Sequence, residues 1–308
     1  MNPSEYHIPV LLGPSIDGLN ISPSGTYVDV TLGGGGHSSE ILCRLGTEGR
    51  LFSFDQDDDA LRQVEQRHKD AADGGRWTLV RSNFRYLSNW MRYYEIDCID
   101  GLLADLGVSS HHFDDASRGF SFRSDAPLDM RMNQQARLSA ADVVNTYSAA
   151  QLTSLFRLYG ELRQAARLAD AIVKSRAQRE LHTTGELASL LAPLLGHDRE
   201  KKDLARAFQA LRIEVNHEMD ALRDMLTAAV RLLRPGGRLV VIAYHSLEDR
   251  IVKNIMRAGN IEGDVVQDVY GRIESPLMPV GKPIAPTDEE VEANPRSRSA
   301  RLRIAEKR

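Results

Sequence analysis

The chain has 308 residues, a hydrophobic fraction of 42% and a formal net charge of −4. That length suffices for one large domain or two moderate ones with a buried core. The charge excludes a globally basic nucleic-acid binder, so any surface for nucleic acid must be local.

No apolar run reaches the length of a membrane span. The opening Met-Asn-Pro-Ser-Glu-Tyr-His lacks the basic and apolar regions of a secretory leader, which gives the expectation of a cytoplasmic protein. Cys43 and Cys98 stand among apolar residues without metal-ligand spacing and are expected to be reduced core residues. No metal cluster, serine-hydrolase elbow or Walker sequence is present.

Strand signals lie at 26–32, 50–54, 77–81 and 99–106, with helical patterns between them at 38–45 and 58–68. Such alternation predicts a parallel, doubly wound sheet with right-handed crossovers and ligands at the carboxyl ends of its strands. Four glycines, Gly33 to Gly36, follow the first strand and allow a sharp turn and close approach to a ligand. Asp55 ends the second strand about twenty residues later, where an acid holds ribose hydroxyls. The two features together predict an adenosine-containing cofactor.

The glycines lack the Gly-x-Gly-x-x-Gly spacing that seats a pyrophosphate. Asp29, in the first strand, would repel a pyrophosphate but suits the cationic sulfonium and amino group of S-adenosylmethionine. A nicotinamide-dependent oxidoreductase is the enzymatic alternative. Asp105, at the end of the fourth strand, is placed to accept a hydrogen bond from an amine about to be alkylated, or else to cap a helix.

From 114 to 213 no strand pattern appears. Residues 114–132 form a loop in which Arg118, Arg123 and Arg131 suit phosphates and Phe120 and Phe122 suit an extruded base. It reads equally well as a packed loop whose arginines bond Asp125 and Asp129. Ser148 with Gln151 and Thr183 with Glu186 start helices as capping boxes, and 161–176 reads as another helix. An amphipathic pattern over 203–233 is long enough to predict a break near Asn216.

Strand rhythm returns at 238–244 after an Arg-Pro-Gly-Gly turn, and Ser246 with Asp249 is expected to cap the next helix. His245 lines the substrate pocket or is structural. Residues 265–294 read as a loop or partly mobile arm, and 299–305 as a closing edge strand. The terminal Arg296, Arg298, Arg301, Arg303, Lys307 and Arg308 form either a solvated basic end or an RNA-backbone contact. The domain expectation is 1–113 and 214–308 for the nucleotide-binding part and 114–213 for an all-helical, substrate-recognising insertion.

Several segments together resemble the bacterial 16S ribosomal RNA cytosine-N4 methyltransferase family, also called ribosomal RNA small subunit methyltransferase H or MraW. They are His7-Ile-Pro-Val-Leu-Leu12, Asp29-Val-Thr-Leu-Gly-Gly-Gly-Gly-His-Ser38, Asp105-Leu-Gly-Val-Ser-Ser110, Arg118-Gly-Phe-Ser-Phe122 and Pro127-Leu-Asp-Met-Arg-Met132. Further on come Phe208-Gln-Ala-Leu-Arg-Ile213, His245-Ser-Leu-Glu-Asp-Arg250 and Asn294-Pro-Arg-Ser-Arg-Ser-Ala300.

The resemblance implies an α/β, class I Rossmann-like methyltransferase fold with a helical insertion. It implies methylation by S-adenosylmethionine of N4 of a cytidine in the decoding region of 16S ribosomal RNA in the small ribosomal subunit. By position it makes Gly35, Gly36, His37, Asp55, Phe84, Asp105 and His112 cofactor contacts, with Asp105 also the candidate for catalysis. The family often has glutamine at His112. Val-Ile-Ala-Tyr-His245 replaces its more usual Ser-Phe before the histidine. A non-catalytic ribosome-assembly factor on the same fold is the remaining alternative.

Overall fold

Strands β1 (Thr26–Asp29), β2 (Arg50–Asp55), β3 (Trp77–Arg81), β4 (Ile99–Asp105) and β5 (Leu233–Ala243) run parallel. The four central residues of β2 and the first six of β4 are buried on both sides of the pleat, as in a sheet covered on both faces. β7 (Arg301–Lys307) pairs antiparallel with β5 and with β6 (Leu277–Pro279). The order is β3-β2-β1-β4-β5-β7-β6. The sequence direction across the sheet reverses between β1 and β4, so right-handed crossovers put the helices of the two halves on opposite faces and open a crevice there.

The computed structural model describes residues 9–68, 75–107, 115–271 and 273–308. The chain divides into two compact units, 1–107 with 219–308, and 108–218. The sheet belongs to the first, and the expected insertion, 114–213, falls within the second.

Several expectations change in the first unit. β1 ends at Asp29 rather than at residue 32, because the next residues leave the ladder. Val30 N donates to Leu103 O on one side at 3.0 Å, and Leu32 N to Phe54 O on the other at 2.8 Å. The chain thus fans out at the switch point. The Arg-Pro-Gly-Gly turn lies inside β5 as an excursion, since Ile99 pairs with Leu233 and Gly101 with Arg238.

β7 is not the edge strand, for β6 covers it. The 265–294 segment is more than a loop. It supplies β6 and a helix, Asp288–Ala293, whose Glu290 Oε1 accepts from Leu11 N at 2.6 Å. Cys43 and Cys98 are free but exposed, so they are not core residues. Among the described residues no helix is long and apolar enough to cross a membrane.

The second unit's described elements are α- and 3₁₀-helices. Ser139, Ser148 and Thr183 each cap a helix as a capping box, with Asp142, Gln151 and Glu186 reaching back. The helix expected from 161 starts at Ala165, because Glu161 takes a left-handed φ of 49° and Leu162 N turns back to Phe156 O. The long pattern breaks at His217, φ 50°, after Glu200–Asn216.

The described part of the 114–132 loop, from 115 on, is built into this unit's core. Phe120, Leu128 and Met130 are buried with Leu152, Phe156 and Leu211, and Phe122 packs edge-on against Phe208 at 5.3 Å. Arg118 is buried and donates from Nη2 to Arg131 O and Met132 O at 2.9 and 3.0 Å. Arg131 forks onto Asp129 at 2.9 and 2.5 Å. Of the two readings of the loop, the packed one describes these side chains.

Candidate active site

The site is built where β1, β2 and β4 end at the switch point. Gly35 is the N-cap of the helix Gly36–Arg44 in the left-handed conformation, φ 80°. A Cβ there would sit 2.8 Å from Val64 Cγ2, so the bend requires glycine twice over. At Gly36 a Cβ would run into the Pro9 ring.

Gly34 is different, with no positive φ and nothing within 4 Å of where a Cβ would stand. Nothing in the protein demands glycine there. Open space over a bare backbone, beside a helix start that no side chain caps, fits a ligand carrying a carboxylate.

Asp55 ties this loop to β2. Its Oδ2 accepts from Gly33 N and its Oδ1 from Asp57 N, both at 2.9 Å. Two backbone donors, one on each oxygen, fix the carboxylate plane. Phe84 opens a 3₁₀ turn just after β3 and is half-buried.

Asp29 is fully buried. Its Oδ1 accepts from Thr31 N at 3.0 Å and from Thr31 Oγ1 at 3.3 Å, and its Oδ2 from Ser38 Oγ at 2.6 Å. The rest of that chain has one sense, because the Asp29 carboxylate only accepts and so takes the single Ser38 proton. Trp77 Nε1 donates to Ser53 Oγ at 2.8 Å, Ser53 to Ser38 at 2.7 Å, and Ser38 to Asp29. Asp29 thus lies beneath the loop with both oxygens bonded to Thr31 and Ser38.

Asp105 sits across the crevice. Its backbone N–H donates to Thr31 Oγ1 at 2.7 Å, which links it to Asp29. Its Oδ1 accepts from the Tyr244 hydroxyl at 2.7 Å, and its Oδ2 lies 3.8 Å from His37 Nδ1. His37 Nε2 faces the Val10 carbonyl at 3.2 Å, so that nitrogen carries a hydrogen, and Nδ1 is the ring nitrogen turned toward Asp105.

Burial pushes the Asp105 carboxyl up to about 6, although His37 and the Tyr244 hydroxyl pull it down. The same burial, with Asp105 beside it, raises the Tyr244 phenol above its ordinary value. The Asp105 side chain retains 23% exposure, so one edge still faces the crevice.

Gly35, Gly36, His37, Asp55 and Asp105 therefore converge, with Phe84 at the end of the neighbouring strand. His112 lies outside the described residues, as do His7, Ile8 and Val108 to Ser110. His245, rather than Ser246, is the N-cap of the helix Ser246–Ala258 and forms a capping box with Glu248.

The basic tail is largely engaged. Arg303 forks onto Asp249 at 2.7 and 2.9 Å, and Lys307 donates to Val230 O at 2.7 Å. Sequence reasoning missed Thr31, Ser38, Ser53, Trp77 and Tyr244. For Tyr244 a signal existed, since a phenol at the end of a buried strand must find a partner.

The MraW methylase family model matches residues 4–308. A Bacteroides fragilis protein named Ribosomal RNA small subunit methyltransferase H is 59% identical over 304 residues, 98% of each chain. A Parabacteroides distasonis protein of that name is 60% identical over 304 residues, 98% of this chain and 97% of its own. A solved structure described as a putative rRNA-methylase from Clostridium thermocellum aligns with a TM-score of 0.45 at 16% identity, covering 98% of this chain and 100% of that one.

Proposed function

Since the chain belongs to the MraW methylase family and is an S-adenosylmethionine-dependent methyltransferase of small-subunit ribosomal RNA, we propose that it methylates N4 of one cytidine in the decoding region of 16S ribosomal RNA within the small ribosomal subunit. The observation that carries this reading is the convergence of the glycine bend, Asp55 and Asp105 on one crevice at the β1/β4 switch point.

S-adenosylmethionine supplies an electrophilic methyl group on a sulfonium centre. The chain's own part is to hold and orient. The bare backbone at Gly34 to Gly36 and the uncapped helix start receive the aminoacyl end. Asp55, its plane set by Gly33 N and Asp57 N, takes the ribose hydroxyls. Phe84 flanks the adenine. The buried Asp29 charge favours a cation above it.

A cytosine N4 amine delocalises its lone pair into the ring, so its nucleophilicity depends on an acceptor that draws one N–H aside. Asp105 serves as that acceptor, with the cytidine and donor aligned and water kept out. The target lies in folded RNA, so a partly assembled small subunit is the proposed substrate rather than an unstructured strand.

Transfer of labelled methyl from S-adenosylmethionine to small subunits lacking the modification tests the reading. Nuclease digestion should place the label on N4 of a single decoding-region cytidine. Label on a different base or atom, or none on any assembled particle, would refute it. Equal transfer to a short unstructured oligonucleotide would overturn the need for a particle.

A further inference from the structure

The Tyr244 phenol is held on several sides. Its ring packs against a buried apolar cluster to which Leu32, Ile242 and Leu302 belong. A Cβ on Gly107, φ 105°, would stand 3.3 Å from Tyr244 Cδ2, so the turn after β4 lies against the ring. The Tyr244 backbone N–H donates to Oε2 of the buried Glu248 at 2.9 Å. β4 and β5 are in register here, Asp105 opposite Ile242, and Leu106 N donates to Ile242 O at 2.9 Å. A ring so fixed has one place for its hydroxyl, and that place is Oδ1 of Asp105.

We infer that Tyr244 is a positioning residue for methyl transfer: its hydroxyl occupies Oδ1 of Asp105 and thereby fixes which oxygen, Oδ2, and which plane the carboxylate presents to the reacting amine. The inference rests on the proposed role of Asp105 beside that amine.

Free carboxylates rotate about their terminal torsion, which is broad. One rigid donor removes that freedom before substrate arrives, so the acceptor needs no reorganisation during the reaction. The hydroxyl also favours the charged form of Asp105, the form able to accept from the amine. His37 on the loop helix favours that form too, whereas Asp29 on β1 and Glu248 on the helix after β5 oppose it. Tyr244 tips this balance through a bond, not through charge, which makes it separable by one atom.

The experiment compares wild type with Tyr244→Phe, using Asp105→Asn to assign the signal. Carboxyl-labelled aspartate in the cofactor-free full chain is titrated by NMR, and methyl transfer to small subunits is measured across pH. Tyr244→Phe should move the Asp105 midpoint upward by about half a unit to one unit. It should shift the acidic limb of the kcat profile by the same amount and lower kcat about tenfold, leaving KM for S-adenosylmethionine within about twofold.

Replacing Tyr244 with 3-fluorotyrosine, a stronger donor of nearly the same shape, should move the midpoint down. This arm holds even where the phenylalanine variant folds poorly. An unmoved midpoint, or a loss confined to KM with an unshifted acidic limb, overturns the assignment. Wild type that transfers no methyl to any particle defeats the proposed reaction instead, and the titration alone then decides the part of Tyr244.

Discussion

The Ser38 hydroxyl donates to Oδ2 of Asp29 across 2.6 Å, and neither side chain reaches solvent. The bond joins the helix that follows the glycines to the strand that precedes them, so it braces the loop from below. Ser38→Ala leaves a buried carboxylate short of a donor and the Ser53 hydroxyl short of an acceptor. The expected cost is about 1–3 kcal/mol, read from urea unfolding followed by Trp77 fluorescence. Ser53→Ala should cost a similar amount, and the double variant less than the two together, because both break one chain. Strict additivity would show that the hydroxyls act independently.

Gly34 and Gly35 should separate ligand binding from folding. Alanine at Gly35 meets a left-handed φ and the Val64 side chain, at a cost of about 1–3 kcal/mol. Alanine at Gly34 meets neither and should leave stability within about 0.5 kcal/mol. Calorimetric titration with S-adenosylmethionine should nonetheless show Gly34→Ala weakened by at least about tenfold, equivalent to roughly 1.4 kcal/mol. Unchanged affinity would mean that the open space over Gly34 is not where the donor lies.

The bend and its acids were legible because each is local. Glycines, strand-end aspartates and three of the capping boxes announce themselves within a few residues, and the strands before the second unit followed from their spacing. What local pattern does not carry is register. β6 has three residues, one of them proline, and exists only because β7 offers it an edge. The same holds for Tyr244, which meets Asp105 only because β5 lies beside β4 with Ile242 opposite Asp105. The 114–132 loop read equally well as a phosphate-binding or a packed loop, since composition does not reveal that Arg118 turns inward to two carbonyls.

That inward turn has its own consequence. A buried guanidinium bonded to Arg131 O and Met132 O holds the loop closed on the second unit's core. Arg118→Met should therefore destabilise that unit by about 2–4 kcal/mol in thermal unfolding, since it strips the donor from two carbonyls. The dependence of RNA affinity on salt should keep its slope, because no phosphate contact is lost. A flatter slope with unchanged stability would return Arg118 to the RNA surface.

Stability should depend on pH through Asp105. Its carboxyl lies at about 6 in the folded chain against an ordinary value of 3.8. The folded state thus holds a proton that the unfolded state has released between those values. The contribution of this group is greatest below about pH 4 and is lost as the pH rises to about 6, on the order of 3 kcal/mol in all. Asp105→Asn cannot lose a proton, so its stability relative to wild type should climb across that window and level off above it. Paired denaturation curves from pH 4 to 7 would show this, and a flat difference would mean that Asp105 is not held up by burial.

Asp55 holds the loop with both oxygens, and the two jobs assigned to it can be pulled apart. Gly33 N–H and Asp57 N–H each point at a different oxygen. An asparagine side chain has one acceptor and one donor, so one of these amides must face an N–H₂ group. Asp55→Asn should therefore loosen the glycine bend before any ligand is added, seen as faster hydrogen exchange at Gly33 or Asp57. Asp55→Glu keeps two acceptors but moves them by a methylene. It should hold at most one amide and weaken S-adenosylmethionine binding further than loop loosening alone accounts for. If Asp55→Asn binds the donor as wild type does, the carboxylate serves the loop and the ribose is held elsewhere. If exchange is unchanged while affinity falls, the carboxylate serves the ribose alone, since two amides that lose nothing on amidation were not relying on its charge.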